Sequence, residues 1–78
     1  MTAKGMFEKL DYEYFETKHY IRYKKIYWKH WIYKVVRIIE FWKDDISVQV
    51  YEEYGCELNL DELQAISKQV EELRGSKC

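Results

Sequence analysis

From Tyr12 onward the chain alternates apolar and polar side chains in blocks rich in Tyr, Ile, Val and Trp: Tyr12 to Glu16, His19 to Tyr27, Trp31 to Trp42 and Ile46 to Tyr54. Short polar breaks separate them, so four sequential strands in an antiparallel meander are predicted. After residue 57 the period changes. Leu60, Leu63, Ile66, Val70 and Leu73 recur every three or four residues, which predicts a helix from Leu60 to Arg74 docked through Leu63, Ile66, Val70 and Leu73. Asn59 supplies an N-cap with Glu62 three positions on, Leu58 can staple onto Leu63, and Gly75 stands where a C′ glycine belongs. Met6 to Leu10 reads as a short helical turn with Phe7 and Leu10 on one side, and the preceding MTAKG, residues 1–5, looks detached and dispensable. The fold class expected is α+β: a four-stranded antiparallel sheet with an N-terminal helical turn and a C-terminal helix packed on one face.

The connection between the third and fourth strands fixes which residues share a face, because a one-residue slip flips every side chain. A three-residue loop would set Val48 opposite Glu40 and bury a carboxylate in the apolar row, at a cost of a few kcal/mol. A loop of Asp44-Asp45, or of four residues from Lys43 to Ile46, instead pairs Phe41 with Val48, Ile39 with Val50 and Arg37 with Glu52. The even-length loop is the expectation. The opposite face then carries Val36, Ile38, Trp42 and Tyr51, and one helix about 10 Å wide cannot cover strands about 4.8 Å apart on both sides. Those four side chains are expected to stay exposed as a partner-binding face, for a target protein or a second copy of the chain.

Length and composition add limits. With 78 residues, three glycines, no proline and 47% apolar residues, a single domain, 1–78, is expected. Cys56 and Cys78 have neither metal-ligand nor disulfide-framework spacing, so reduced thiols are expected. Met1 to Leu10 lacks the apolar core of a signal peptide and no apolar run is long enough to span a bilayer, so a cytoplasmic location without membrane contact is the reading. The net charge of −1 hides a polarised chain. Residues 18–43 hold eight cations against the single carboxylate Glu40, a balance of +7, whereas residues 44–78 hold nine carboxylates against three cations. Such halves can pair with each other or offer a basic face to an acidic partner.

Candidate chemistry is sparse. His19 and His30 have no nucleophile motif beside them, no phosphate-cradling glycine loop is present, and Asp44-Asp45 is turn chemistry. No catalytic residue, metal site or cofactor is expected. The segment Lys24 to Trp31 interleaves indoles and phenols with ammonium groups. Trp28 and Trp31 fit a protein hot spot, and Arg22, Lys24, Lys25 and Lys29 could neutralise phosphates while the rings stack on bases. Packing of the arm's rings on one another or on the N-terminal helix is the plainer alternative. On the terminal helix, Asp61 and Glu62 suit the N-terminal dipole and are expected on a solvated face.

The segments MFEKL, RIIEF at Arg37 to Phe41, and LDELQAISKQVEEL at Leu60 to Leu73 resemble short accessory proteins of Firmicutes phages and prophages. The resemblance runs from Met6 to the end of the chain, and it transfers no functional residue. It departs at MTAKG and at the tryptophan-rich Trp28 to Trp31 stretch. What it implies is a small non-enzymatic protein of the bacterial host cytoplasm that occludes host machinery, including CRISPR effectors and other defence enzymes. The leading expectation is thus a protein-binding module that inhibits a bacterial defence system. The alternative is a nucleotide or single-stranded nucleic-acid binder acting through the arm of residues 18–43.

Overall fold

In the computed structural model, residues 1–29, 31–52 and 57–76 are described. They form α1 (Ala3–Lys9), β1 (Glu13–Glu16), β2 (Tyr20–Lys29), β3 (Tyr33–Trp42), β4 (Ser47–Glu52) and α2 (Leu60–Ser76). The sheet is an antiparallel meander in the order β1-β2-β3-β4. Phe41 pairs with Val48, Ile39 with Val50 and Arg37 with Glu52, as the parity argument requires. The last pair is Trp42 with Ser47, so the four-residue loop Lys43 to Ile46 closes this hairpin and β4 begins one residue later than its apolar pattern suggests.

Alternation along the strands sorts the aromatic residues onto two faces. The inner face collects Ile21, Tyr23, Val35, Ile39 and Phe41, all buried, and both helices lie over it. Phe7 of α1 stacks on Tyr23 with ring centroids 3.9 Å apart and meets Tyr12 and Phe41 edge-on. Residues 1–5, set apart by their composition, open α1. The Thr2 side chain caps the helix by accepting from the Gly5 amide at 3.1 Å, Ala3 is fully buried, and the Ala3 amide donates to Glu72 Oε2 of α2 at 2.8 Å. The N-terminal turn is therefore a seven-residue helix tied to the C-terminal one.

The helix α2 sits rotated from the expected face. Glu62, Ala65, Gln69 and Leu73 are buried, Ile66 and Val70 are half-buried against the core, and Leu63 is 49% exposed. Docking through Leu63 is thus corrected. The physical reason is that two buried polar groups outweigh one leucine in setting the rotation: Glu62 bonds the sheet, and Gln69 Oε1 accepts from the Tyr23 hydroxyl at 2.6 Å. Leu58 packs against the core. Gly75 lies within the helix, which runs on to Ser76, so it is not a C′ residue.

Glu62 is the hub. Its amide donates to Asn59 Oδ1 at 2.8 Å while its Oε1 accepts from the Asn59 amide at 3.1 Å, a reciprocal capping box. Its Oε2 accepts from Arg37 Nη1 at 2.6 Å and from the Tyr12 hydroxyl. The same guanidinium reaches Glu52 Oε2 through Nε at 3.1 Å and Nη2 at 2.8 Å, and Tyr27 donates to the other Glu52 oxygen. Burial pushes the Glu62 carboxyl up, yet the bonds from Tyr12, Arg37 and Asn59 outweigh it and hold it below the usual carboxylate range. Burial likewise opposes the Arg37 charge, but its bonds to Glu62, Tyr12 and Glu52 keep the guanidinium more strongly protonated than an ordinary arginine.

Removing one partner leaves the other charge buried, so Arg37→Ala should cost about 3–5 kcal/mol in a urea titration. Because the folded carboxyl of Glu62 titrates below its unfolded value, its contribution is fully present above about pH 4.5 and is lost as pH falls through the folded value. Stability measured at descending pH should drop more steeply for the parent chain than for Glu62→Gln. Deleting residues 1–5 removes a cap and a buried alanine and should lower stability by about 1–3 kcal/mol, read by the same titration.

Candidate interaction surface

The central hairpin outruns its neighbours. Strands β2 and β3 pair over ten residues each, whereas β1 reaches only to the pair Glu13 with Lys24 and β4 only to Glu52 with Arg37. The distal half of the hairpin is therefore an arm without a flanking strand among the described residues, and the molecule measures 46 × 23 × 18 Å. At the arm's end, between the last pair Lys29 with Tyr33, Trp31 is 95% exposed and Ile32 71% exposed. Trp31 also adopts φ 63°, the left-handed region that suits glycine and costs a bulky residue about 1–2 kcal/mol.

Side-chain alternation splits the residues grouped by the sequence. Trp28 lies on the outer face directly across from Lys34, near the arm's end, and Trp31 is at the tip. Val36, Ile38, Trp42 and Tyr51 do share the outer face, on β3 and β4. Only Tyr51 of these four is exposed. The other three are half-buried by same-face neighbours, as where the Tyr20 ring sits 5.1 Å from Trp42. No helix lies over this face among the described residues.

Of the four cations, Arg22, Lys24 and Lys25 do not converge, and the Lys29 side chain lies outside the described residues. Arg22 binds Glu40 through Nε at 2.9 Å and Nη2 at 2.7 Å and lies over the Tyr20 ring, so its charge is already met. This pairing also explains how Glu40 can be buried on the face expected to be solvated. Lys24 projects outward, opposite Glu13, whereas Lys25 projects inward and approaches the Tyr12 ring at 5.5 Å. Lys43 holds Glu16 at 2.6 Å, and this contact, with the Tyr14 hydroxyl, lowers the Glu16 carboxyl below its usual range. Burial and the same Glu16 bond push the Tyr14 phenol up to about 12. Three of the eight cations, Arg22, Arg37 and Lys43, are thus ion-paired inside the fold, the last two with carboxylates from β1, β4 and α2.

The clefts show the same self-satisfaction. A cavity of about 380 Å³ lies between α1, α2 and the sheet, lined by Lys4, Tyr14, Glu16, Tyr23, Lys43 and Gln69 among others. Its polar groups bond one another: Tyr14 to Glu16, Lys43 to Glu16, Tyr23 to Gln69. His19 stands exposed in the β1–β2 turn, while His30 and Cys56 lie outside the described residues. Among the described residues no group of three or more His, Cys, Asp or Glu is placed to hold a metal ion, and no helix is long and apolar enough to cross a membrane. Comparison with protein-family models, curated proteins and solved structures finds no match.

The tip was half visible in advance. The aromatic run marked the arm, but nothing in the local residue types announced a left-handed tryptophan where turn chemistry asks for Gly, Asn or Asp. Trp31→Gly relieves the strained φ and removes no buried surface, so stability in urea should stay level or rise by up to about 1 kcal/mol. A loss above about 1 kcal/mol would mean that the indole packs on its own fold.

Proposed function

We propose that the chain is a non-enzymatic protein-binding module whose arm tip is the recognition element. The observation that carries this reading is Trp31: a large aromatic almost fully in water, held in a backbone conformation that costs stability and gains no packing in return. The left-handed backbone lies in the β2–β3 turn, as that of Ile46 does in the β3–β4 turn, but the Trp31 indole is left in water, and a tryptophan so presented beside exposed Ile32 and Trp28 has the composition of an interface hot spot. The phosphate-binding alternative has less support, since Arg22 is held by Glu40 and Lys24 and Lys25 lie on opposite faces.

The partner class follows the resemblance to phage accessory proteins: a defence protein of a bacterial host, a CRISPR effector being the first to try. The test is plasmid interference in cells whose effector targets the incoming plasmid. Expression of the chain should restore transformation, and Trp31→Gly combined with Ile32→Ser should abolish that effect while leaving circular dichroism unchanged. A double variant that protects as well as the parent would remove the tip from the interface. A parent chain that protects against no effector, and binds none when purified, would sink the inhibitor reading.

A further inference from the structure

The outer face of the sheet remains to be explained, and it differs from the tip in both charge and shape. It is wide and about half apolar, with Phe15, Ile26, Trp28 and Tyr51 exposed around half-buried Val36, Ile38 and Trp42, and with Ser47 and Gln49 among its polar positions. It is also close to neutral, although it belongs largely to the segment with a balance of +7. At its centre Arg22 and Glu40 close on each other, at one edge Glu13 stands opposite Lys24, and Lys34 near the arm's end carries the remaining charge.

We infer that this face is a two-fold interface with a second copy of the chain, the two sheets stacking about 10 Å apart as a β-sandwich. In a two-fold contact each patch meets its own image, so a strongly charged patch repels itself and a neutral apolar one does not. The central ion pair is compatible with burial because both charges already have their partner, with the Arg22 side chain 36% exposed and that of Glu40 9%. The area suffices. Strands of four, ten, ten and six residues rising about 3.3 Å per residue and spaced about 4.8 Å make about 480 Å² of sheet per copy, or about 950 Å² for two. Side chains standing off the sheet raise the accessible area above that flat figure, to the size at which specific interfaces begin, about 1,000 Å². A nucleic acid or an acidic protein would want an excess of cations here, and the face carries Arg22, Lys24 and Lys34 against Glu13 and Glu40, a net charge of only +1. The inference shares Trp28 with the tip but not Trp31 or Ile32, which lie beyond the last paired residues.

Sedimentation of the full chain over a range of micromolar concentrations decides it. The expected species has twice the 9.7 kDa chain mass and persists at high salt, since apolar contact rather than charge holds it. Ile26→Glu and Tyr51→Glu, both at exposed positions, should each yield a folded monomer, whereas Trp31→Gly should remain dimeric. A parent chain that stays at monomer mass at the highest concentration overturns the inference, as does a dimer that tolerates both glutamates or one that Trp31→Gly dissociates. Because the interference assay reads the tip and sedimentation reads the face, either reading can fail without the other.

Discussion

The contact between Arg37 and Glu62 is the constraint on which the rest of the structure depends. A guanidinium on the inner face of a sheet cannot stay there unpaired, because an uncompensated buried charge costs several kcal/mol. Two carboxylates meet it: Glu52 from the adjacent strand and Glu62 from the first turn of α2. The first pairing is fixed by the β3–β4 register; the second fixes where α2 begins and which way it is turned. Once Glu62 points at the sheet, Ala65, Gln69 and Leu73 follow on the same stripe at spacings of three and four, and Leu63 is carried toward solvent.

The aromatic core completes what the ion pair begins. Phe7 reaches Tyr23 only because α1 lies beside α2, and α1 is held there by the buried Ala3 and by the carboxylate of Glu72 on the Ala3 amide. Both helices thereby occupy one face of the sheet, with Tyr12, Tyr23 and Gln69 satisfying polar atoms within an apolar layer. The cost of this arrangement is that the other face receives no cover from the described residues. On that side the strands mix Ile26, Val36, Ile38, Trp42 and Tyr51 with Arg22, Lys24, Lys34, Glu40, Ser47 and Gln49.

The strand order, the α+β class and the β3–β4 register were all legible, because period and parity are properties of spacing alone. Rotation of α2 was not. Apolar periodicity nominated Leu63, Ile66, Val70 and Leu73, and it could not weigh a glutamate that serves at once as capping residue and as counterion to a strand arginine. A signal did exist. The parity that placed Arg37 on the inner face also demanded a buried partner beyond Glu52, and Glu62, on the only long helix pattern in the chain, was available to supply it. Residues 1–5 misled for a different reason: composition cannot show that a small alanine fits a gap between two helices.

Charge polarity along the chain takes its meaning from the same pairing. A balance of +7 over residues 18–43 would suggest an acidic ligand if those cations pointed together. In the fold, Arg22, Arg37 and Lys43 are bound to Glu40, to Glu52 and Glu62, and to Glu16, which lie on neighbouring strands and on α2. Part of the sequence polarity is thus converted into internal contacts: Arg37 and Lys43 join the basic segment to its acidic flanks, while Arg22 and Glu40 pair within it. Beside the remaining lysines stand two apolar features: a tryptophan at a strained tip and a sheet face whose charges nearly cancel. Surfaces of that kind discriminate by shape and by the water they exclude, which favours recognition of a protein surface over capture of a charged ligand.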